Sequence, residues 1–159
     1  MPQTSILSEP VRALLGMRAD NGPADVRSRV LETAAGCAFG RCLVEGASEG
    51  KGAIVPSSAG EGAKPLGFVV REDVKEPATP NVAQKDLVGL LAKGRIWVEA
   101  AGTLTTAMRP GGTAIYLVHT GADAGLLSPT DDANTVLISG ITVLEGATDG
   151  NLALIDVNL

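Results

Sequence analysis

The sequence contains few side chains that could form a catalytic or metal-binding site. His119 is the only histidine, and Cys37 and Cys42 are the only cysteines. A single histidine needs several cysteines or carboxylates beside it to bind a metal, and none cluster around it in the sequence. A triad of His119 with a Ser or Thr and an Asp is arithmetically possible. We nevertheless expect His119, at the end of a predicted strand, to be a half-exposed structural side chain.

Two short segments resemble ligand-binding loops. Gly46–Gly52 reads GASEGKG, but a phosphate-binding loop needs four residues between its glycines and a Ser or Thr after the lysine. No predicted helix follows it that could hold a phosphate at its amino terminus. Asp131–Asn134 lacks the alternating oxygen ligands and distal glutamate of a calcium loop, which favours a solvated turn. We therefore predict no cofactor, no metal, no catalytic residue and no enzymatic activity.

The two cysteines are expected to be small core residues. Cys37 and Cys42 lie five positions apart. On a strand, this spacing points two side chains to opposite faces, which is poor geometry for a disulfide.

The elements that would position these residues are short strands. The chain is 45% apolar, mainly through aliphatic residues, and 20 glycines and 9 prolines interrupt it. Strands separated by turn residues, with no long amphipathic helix, are typical of all-β domains. We predict a small β-barrel or a jelly-roll/sandwich of short antiparallel strands with an extended N-terminal arm. The predicted strands are Val26–Leu31, Phe39–Val44, Leu66–Arg71, Leu87–Leu91, Arg95–Glu99, Ala114–His119, Val136–Ser139, Ile141–Leu144 and Leu152–Val157.

Two glycines mark predicted reversals or bends between these strands. Leu87–Leu91 and Arg95–Glu99 flank Ala92-Lys93-Gly94, a spacing that predicts a β-hairpin. Gly140 separates two apolar runs and indicates a bend or bulge within one long edge.

The first 24 residues differ from the rest and are predicted to form an arm, with residues 25–159 as a single β domain. Three prolines bracket one short apolar stretch, which is too short to hold a helix alone. The arm could order against a partner, or it could be a frayed terminus. Trp97 is either a core residue or an interface anchor. The candidate arm contacts are Ile6, Leu7, Val11, Leu14 and Leu15.

Charge and hydropathy narrow the choice of partner. The net charge is −5, with 13 basic residues scattered among 18 acidic ones, so we expect no nucleic-acid binding. The amino terminus lacks the pattern of a secretory leader, and no apolar run reaches bilayer length. We therefore expect a soluble protein that is made in a cytoplasm and does not bind membranes.

Three segments resemble the tailed-phage structural cement proteins, which decorate capsids. They are Asp25–Val30 leading to Phe39–Val44, then Lys93–Val98 followed by Thr113–His119, and the ending Asn151–Leu159. The resemblance implies a β-barrel or jelly roll without catalytic residues. It also implies a virion protein that binds the outside of an assembled head, contacts the major capsid protein and bridges neighbouring coat subunits against internal DNA pressure. Family members act as dimers or trimers at capsid symmetry axes, and we prefer a trimer here.

Two other function classes stay open. One is a structural β module of a phage tail, a spike base or a host-binding surface, which would favour exposed aromatic or charged patches. The other is a small β-barrel enzyme or ligand binder, which would need a pocket with convergent polar groups.

Overall fold

The computed structural model describes residues 13–20, 22–71 and 81–159 of the chain. Almost every regular element in these ranges is a β-strand, and the all-β prediction is confirmed. One four-residue helix, α1, interrupts the strands, and no helix in these ranges is long and apolar enough to cross a membrane. The elements are β1 Asp25–Leu31, β2 Cys37–Ala38, β3 Cys42–Glu45, β4 Gly52–Ile54, α1 Ala59–Gly62, β5 Pro65–Val69, β6 Asn81–Val82, β7 Leu87–Glu99, β8 Ile115–Val118, β9 Leu127–Ser128, β10 Thr135–Ile138, β11 Ile141–Glu145 and β12 Leu152–Asn158.

Five strands close into a barrel. They follow the order β1-β4-β3-β5-β7, and β7 pairs again with β1. Every pairing around the barrel is antiparallel except that of β1 with β4. Closure leaves the five barrel strands without a free sheet edge. Its core consists of Leu31, Cys37, Phe39, Leu43, Ala53, Val69, Val82, Val88 and Leu90.

The carboxyl-terminal half of β7 leaves the barrel and pairs with β12, which in turn pairs with β11. This extension shares a second core with the three-stranded sheet β10-β8-β9. Strands β3, β5 and β7 line both cores, because successive side chains of a strand point to opposite faces. Leu90 therefore packs inside the barrel, whereas Leu91 packs into the second core.

The predicted hairpin around Ala92-Lys93-Gly94 is wrong, because β7 runs continuously from Leu87 to Glu99. Its first half pairs with β1 and β5, and its second half pairs with β12, so both halves of the predicted hairpin have long-range partners instead. The register against β1 slips between Leu91 and Lys93. Such a bulge shifts the alternation by one residue, which turns Ile96 and Val98 towards the same core as Leu91.

The chain bends at Gly140, but the prediction of one long edge is wrong, because Gly140 forms a corner between two sheets. Strand β10 pairs with β8, whereas β11, directly after Gly140, pairs with β12. Strands that change sheet at such corners are common where two sheets share a core.

The prediction that both cysteines are core residues is confirmed. Cys37 lies in the barrel core and Cys42 in the second core. The two thiols are not joined in a disulfide. Burial raises the pKa of the Cys42 thiol to about 12, which leaves it protonated and unreactive at neutral pH.

Candidate functional site

His119 is buried rather than half-exposed, which corrects the sequence-based expectation. Only 6% of its surface is accessible. Its backbone N–H donates to the carbonyl of Asn134 at 2.8 Å, and its Cβ lies beside Gly62 of α1. These neighbours are distant in sequence, so the periodicity of β8 could not reveal the burial. No cluster of three or more His, Cys, Asp or Glu side chains suited to a metal occurs in the described ranges.

The loop that resembles a phosphate-binding loop already holds an anion from this chain. The Glu32 carboxylate accepts the N–H groups of Ala47 and Ser48 at 2.7 and 3.2 Å. A Cβ on Gly46 or Gly52 would collide with this carboxylate, so the close approach requires glycine at both positions. The side-chain hydrogen bond with Ser48, followed by the two backbone bonds, lowers the pKa of Glu32. A phosphate would have to displace Glu32.

The same loop contains a Gly-x-Ser-x-Gly spacing, which the sequence reasoning missed. The residues are Gly46, Ser48 and Gly50. In a hydrolase, this motif forms a sharp turn from a strand into a helix. Here it connects the antiparallel strands β3 and β4, and Ser48 binds the Glu32 carboxylate. The loop therefore lacks the structural setting that activates a serine nucleophile.

Asp131–Asn134 forms an exposed turn, as predicted. The Asp132 carboxylate accepts the backbone N–H of Asn134 at 2.7 Å, and the Thr135 hydroxyl accepts that of Asp132 at 2.9 Å. The polar side chains thus stabilise the turn itself.

The described part of the predicted arm lies along β7. The Gly16 N–H donates to the Trp97 carbonyl at 2.9 Å, and the Trp97 N–H donates to the Met17 carbonyl at 3.0 Å. Leu15 packs against the barrel core, whereas Leu14 is 44% exposed. Of the five candidate arm contacts, Leu14 therefore presents apolar surface to solvent and Leu15 is half-buried. Ile6, Leu7 and Val11 lie outside the described residues.

Trp97 is half-buried and points away from the second core. Its neighbours in β7, Ile96 and Val98, fill that core, so alternation places the indole on the opposite face of the sheet. Leu154 lies directly across from Trp97 on β12, and Leu152 precedes Leu154 by two residues on the same face of that strand. Leu144 lies in a bulge of β11 beside Leu154 and is 39% exposed. We call these four residues, Trp97, Leu144, Leu152 and Leu154, the Trp97 face.

Charged residues surround the Trp97 face. Arg95 and Glu99 flank Trp97 along β7, and Asp156 lies opposite Arg95. Arg95 also forms an exposed ion pair with Asp20 at 3.3 Å. An apolar centre with an aromatic anchor and a charged rim is the usual anatomy of a protein–protein interface. This arrangement is suited to binding a protein surface.

Comparisons with known proteins agree with this description. A family model described as "Structural cement protein (E217 gp24/Pam3 gp6)" matches residues 2–158. A chain in "The capsid of Myoviridae Phage XM1" is 16% identical, with a TM-score of 0.72 over 98% of this chain and 96% of that chain. A chain in "The crystal structure of head fiber gp8.5 N base in bacteriophage phi29" is 18% identical, with a TM-score of 0.51 over 86% and 95%. At these identities, the two structures show a shared fold. No curated protein matches the chain.

Proposed function

Since the chain belongs to the phage structural cement protein family and has a structural role in the phage capsid, we propose that it binds the outer surface of an assembled head and bridges neighbouring coat subunits. The observation that carries this proposal is the family match over residues 2–158. Packaged DNA pushes the shell outward, and a protein bound across the seams resists that strain by its binding free energy alone. Many weak contacts on one shell add up through multivalency.

The Trp97 face is the surface that we assign to the coat contact. Its indole is one of only four aromatic side chains in the chain, and it lies on an outward sheet face with leucines beside it. Trp is enriched among residues that dominate interface energies, because it buries a large area with little loss of conformational freedom. The adjoining segment brings the exposed Leu14 to the same strand.

Bridging requires at least two contact surfaces for each bound unit. A trimer provides three copies of the Trp97 face and fits the three-fold positions of a shell, and a dimer is the alternative. Light scattering coupled to size exclusion measures the oligomeric state directly. If the protein is a monomer both in solution and on the shell, bridging would require two different faces of one chain to contact neighbouring coat subunits.

The proposal is tested by mixing the purified protein with mature, expanded heads that lack it and pelleting the heads. We expect saturable co-sedimentation at a fixed ratio to coat protein and no binding to unassembled coat protein. Absence of binding to every form of the shell would contradict the proposal and favour the tail, spike-base or host-surface alternative.

Two single substitutions test the position of the contact. Trp97→Ala should weaken head binding by about 30-fold, because loss of a central aromatic anchor costs about 2 kcal/mol or more. Leu137→Ala is the control, since Leu137 is 61% exposed on β10, in the three-stranded sheet that does not contain Trp97. Equal binding of both variants would mean that the coat contact lies outside the Trp97 face.

The arm is tested separately. Removal of residues 2–12 deletes Ile6, Leu7 and Val11, and Leu14→Ala truncates the exposed leucine. We expect both changes to weaken head binding without changing the thermal stability of the β domain. Unchanged binding in both variants would refute the arm contact.

A further inference from the structure

A cavity of about 530 Å³ with a mixed polar and apolar lining lies between the barrel and the turn that joins β8 to β9. It is separate from the Trp97 face, and its volume falls within the roughly 300–1,000 Å³ of typical ligand sites. The turn between β1 and β2, the segment before α1, and residues 119–124 form its walls. Several small apolar side chains line it, including Ala35, Ala38, Val55 and Ala122.

Arg41 lines this cavity with an incompletely paired guanidinium group. Its Nη1 donates to the carbonyls of Ala122 and Ala124 at 2.7 and 2.6 Å, which holds the side chain in place. A guanidinium carries five N–H donors. Within the described residues, no acceptor engages Nε or Nη2, and no carboxylate forms an ion pair with Arg41. The Nε–Nη2 edge is the geometry that binds a carboxylate through two parallel hydrogen bonds.

His119 lines the same cavity and has an unsatisfied nitrogen. The side chain is 94% buried, and its Nδ1 has no hydrogen-bond partner among the described residues. That nitrogen is itself closed off from the cavity, so the free donors of Arg41 define the site and His119 forms part of its wall. Among the described residues, the cavity lining includes Arg41 and His119 but no Asp or Glu. In a chain of net charge −5, this cavity is therefore a local site for an anionic group.

We propose that this cavity, the Arg41 pocket, binds a glutamate-containing segment of the capsid shell protein, with the carboxylate on the Nε–Nη2 edge of Arg41 and beside His119. The mixed lining suits glutamate, because the alanines and Val55 can contact its methylene groups while Arg41 binds its charge. A bare phosphate would gain nothing from the apolar part. The choice of the shell as the source rests on the proposed function, and the contact adds a second attachment point to the Trp97 face.

The pocket can be blocked without touching Arg41 or His119. Ala34 and Ala35 are the two exposed central residues of the turn closed by the Gly36 N–H to Thr33 carbonyl bond of 3.0 Å. Ala35 lines the pocket and Ala34 does not. Ala35→Trp should fill the pocket, and Ala34→Trp is the matched control with the same change in the same turn.

The first measurement uses acetylated tetraglutamate as the probe, with acetylated tetraglutamine as the neutral control. We expect tetraglutamate to shift the NMR signals of the Arg41 Nε–H and the His119 ring in the wild type and in Ala34→Trp. Tetraglutamine should produce no shift, and Ala35→Trp should bind tetraglutamate at least tenfold more weakly. Absence of a tetraglutamate shift in the wild type would overturn the carboxylate site.

The second measurement compares the same variants for co-sedimentation with heads. We expect Ala35→Trp to bind heads at least tenfold more weakly than Ala34→Trp. If both bind equally while tetraglutamate occupies the pocket, the carboxylate comes from another source and the assignment to the shell is wrong. If the wild type itself does not bind heads, the proposed function fails, and the tetraglutamate result still decides whether the carboxylate site exists.

Discussion

Leu90 and Leu91 are neighbours in β7 that pack into different cores, so truncating each to alanine tests whether the two cores unfold together. Both side chains are fully buried, Leu90 in the barrel and Leu91 in the second core. Because β7 contributes to both sheets, damage to either core should destabilise the whole strand. We expect a single unfolding transition in each variant.

The magnitude follows from the burial. Replacing a fully buried leucine by alanine costs about 2–5 kcal/mol, through lost apolar burial and the cavity that remains. This is a large fraction of the roughly 5–15 kcal/mol that stabilises a typical protein. At about 2–4 °C per kcal/mol for a chain of this size, each melting temperature should fall by roughly 4–20 °C. Leu87→Ala, on the same strand but at a position 66% exposed, should change stability by less than about 0.5 kcal/mol.

The assay is urea unfolding followed by two probes. Trp97 is the only tryptophan, and its fluorescence reports on the extension of β7 beyond the barrel, whereas far-UV circular dichroism reports on all strands. The two probes should give the same midpoint in both variants. The reasoning would be refuted if Leu90→Ala lowered the circular dichroism midpoint but left the fluorescence midpoint unchanged.

Three further predictions follow from local contacts. The Ser48 hydroxyl and two backbone N–H groups lower the pKa of Glu32, so the stability that its carboxylate contributes should be present above its ordinary pKa of 4.5 and be lost as the pH falls. Glu32→Gln should flatten this acid dependence of stability in urea titrations from pH 3 to 7, and an unchanged dependence would contradict the assignment to Glu32. Gly16 has φ of +74°, and an added Cβ would lie 2.6 Å from the Phe39 Cβ, so Gly16→Ala should destabilise the protein by about 1–3 kcal/mol and speed hydrogen exchange at the Trp97 N–H. An exchange rate equal to that of the wild type would contradict the role of Gly16 in holding this segment on β7. Burial raises the pKa of Cys42 from 9.0 to about 12, so stability should fall as the pH rises above 9, because only the unfolded chain then loses the thiol proton. Cys42→Ala should reduce that decline in alkaline urea titrations, and an identical decline would assign the decline to other groups.

Much of the secondary structure could be predicted from local patterns. The terminal strand and the strand before His119 were expected at Leu152–Val157 and Ala114–His119, and they occur as β12 and β8. Apolar alternation and bounding glycines are local properties of a chain, so they survive in any β fold. The resemblance to the cement proteins, given on three short segments, is confirmed by the match over residues 2–158.

The site could be predicted only in part. The sequence singled out Trp97 but left its role open between core and interface. It also gave no sign that the Glu32 carboxylate binds the Gly46–Gly52 loop, because the two segments meet only in the folded chain. His119 was expected to be half-exposed, but Asn134 and Gly62, from other parts of the sequence, enclose it.

The sequence by itself determined the all-β class, most strand positions and the family. Only the tertiary structure decided which strands pair, and the misassigned hairpin at Ala92-Lys93-Gly94 shows why. A three-residue segment that ends in glycine suits a reversal, but β1, β5 and β12 all pair with β7. The strand therefore continues through Gly94, with a bulge between Leu91 and Lys93. That bulge turns Ile96 and Val98 into the second core and leaves Trp97 outside it. The direction of a side chain thus depends on register against distant strands, which local spacing does not encode.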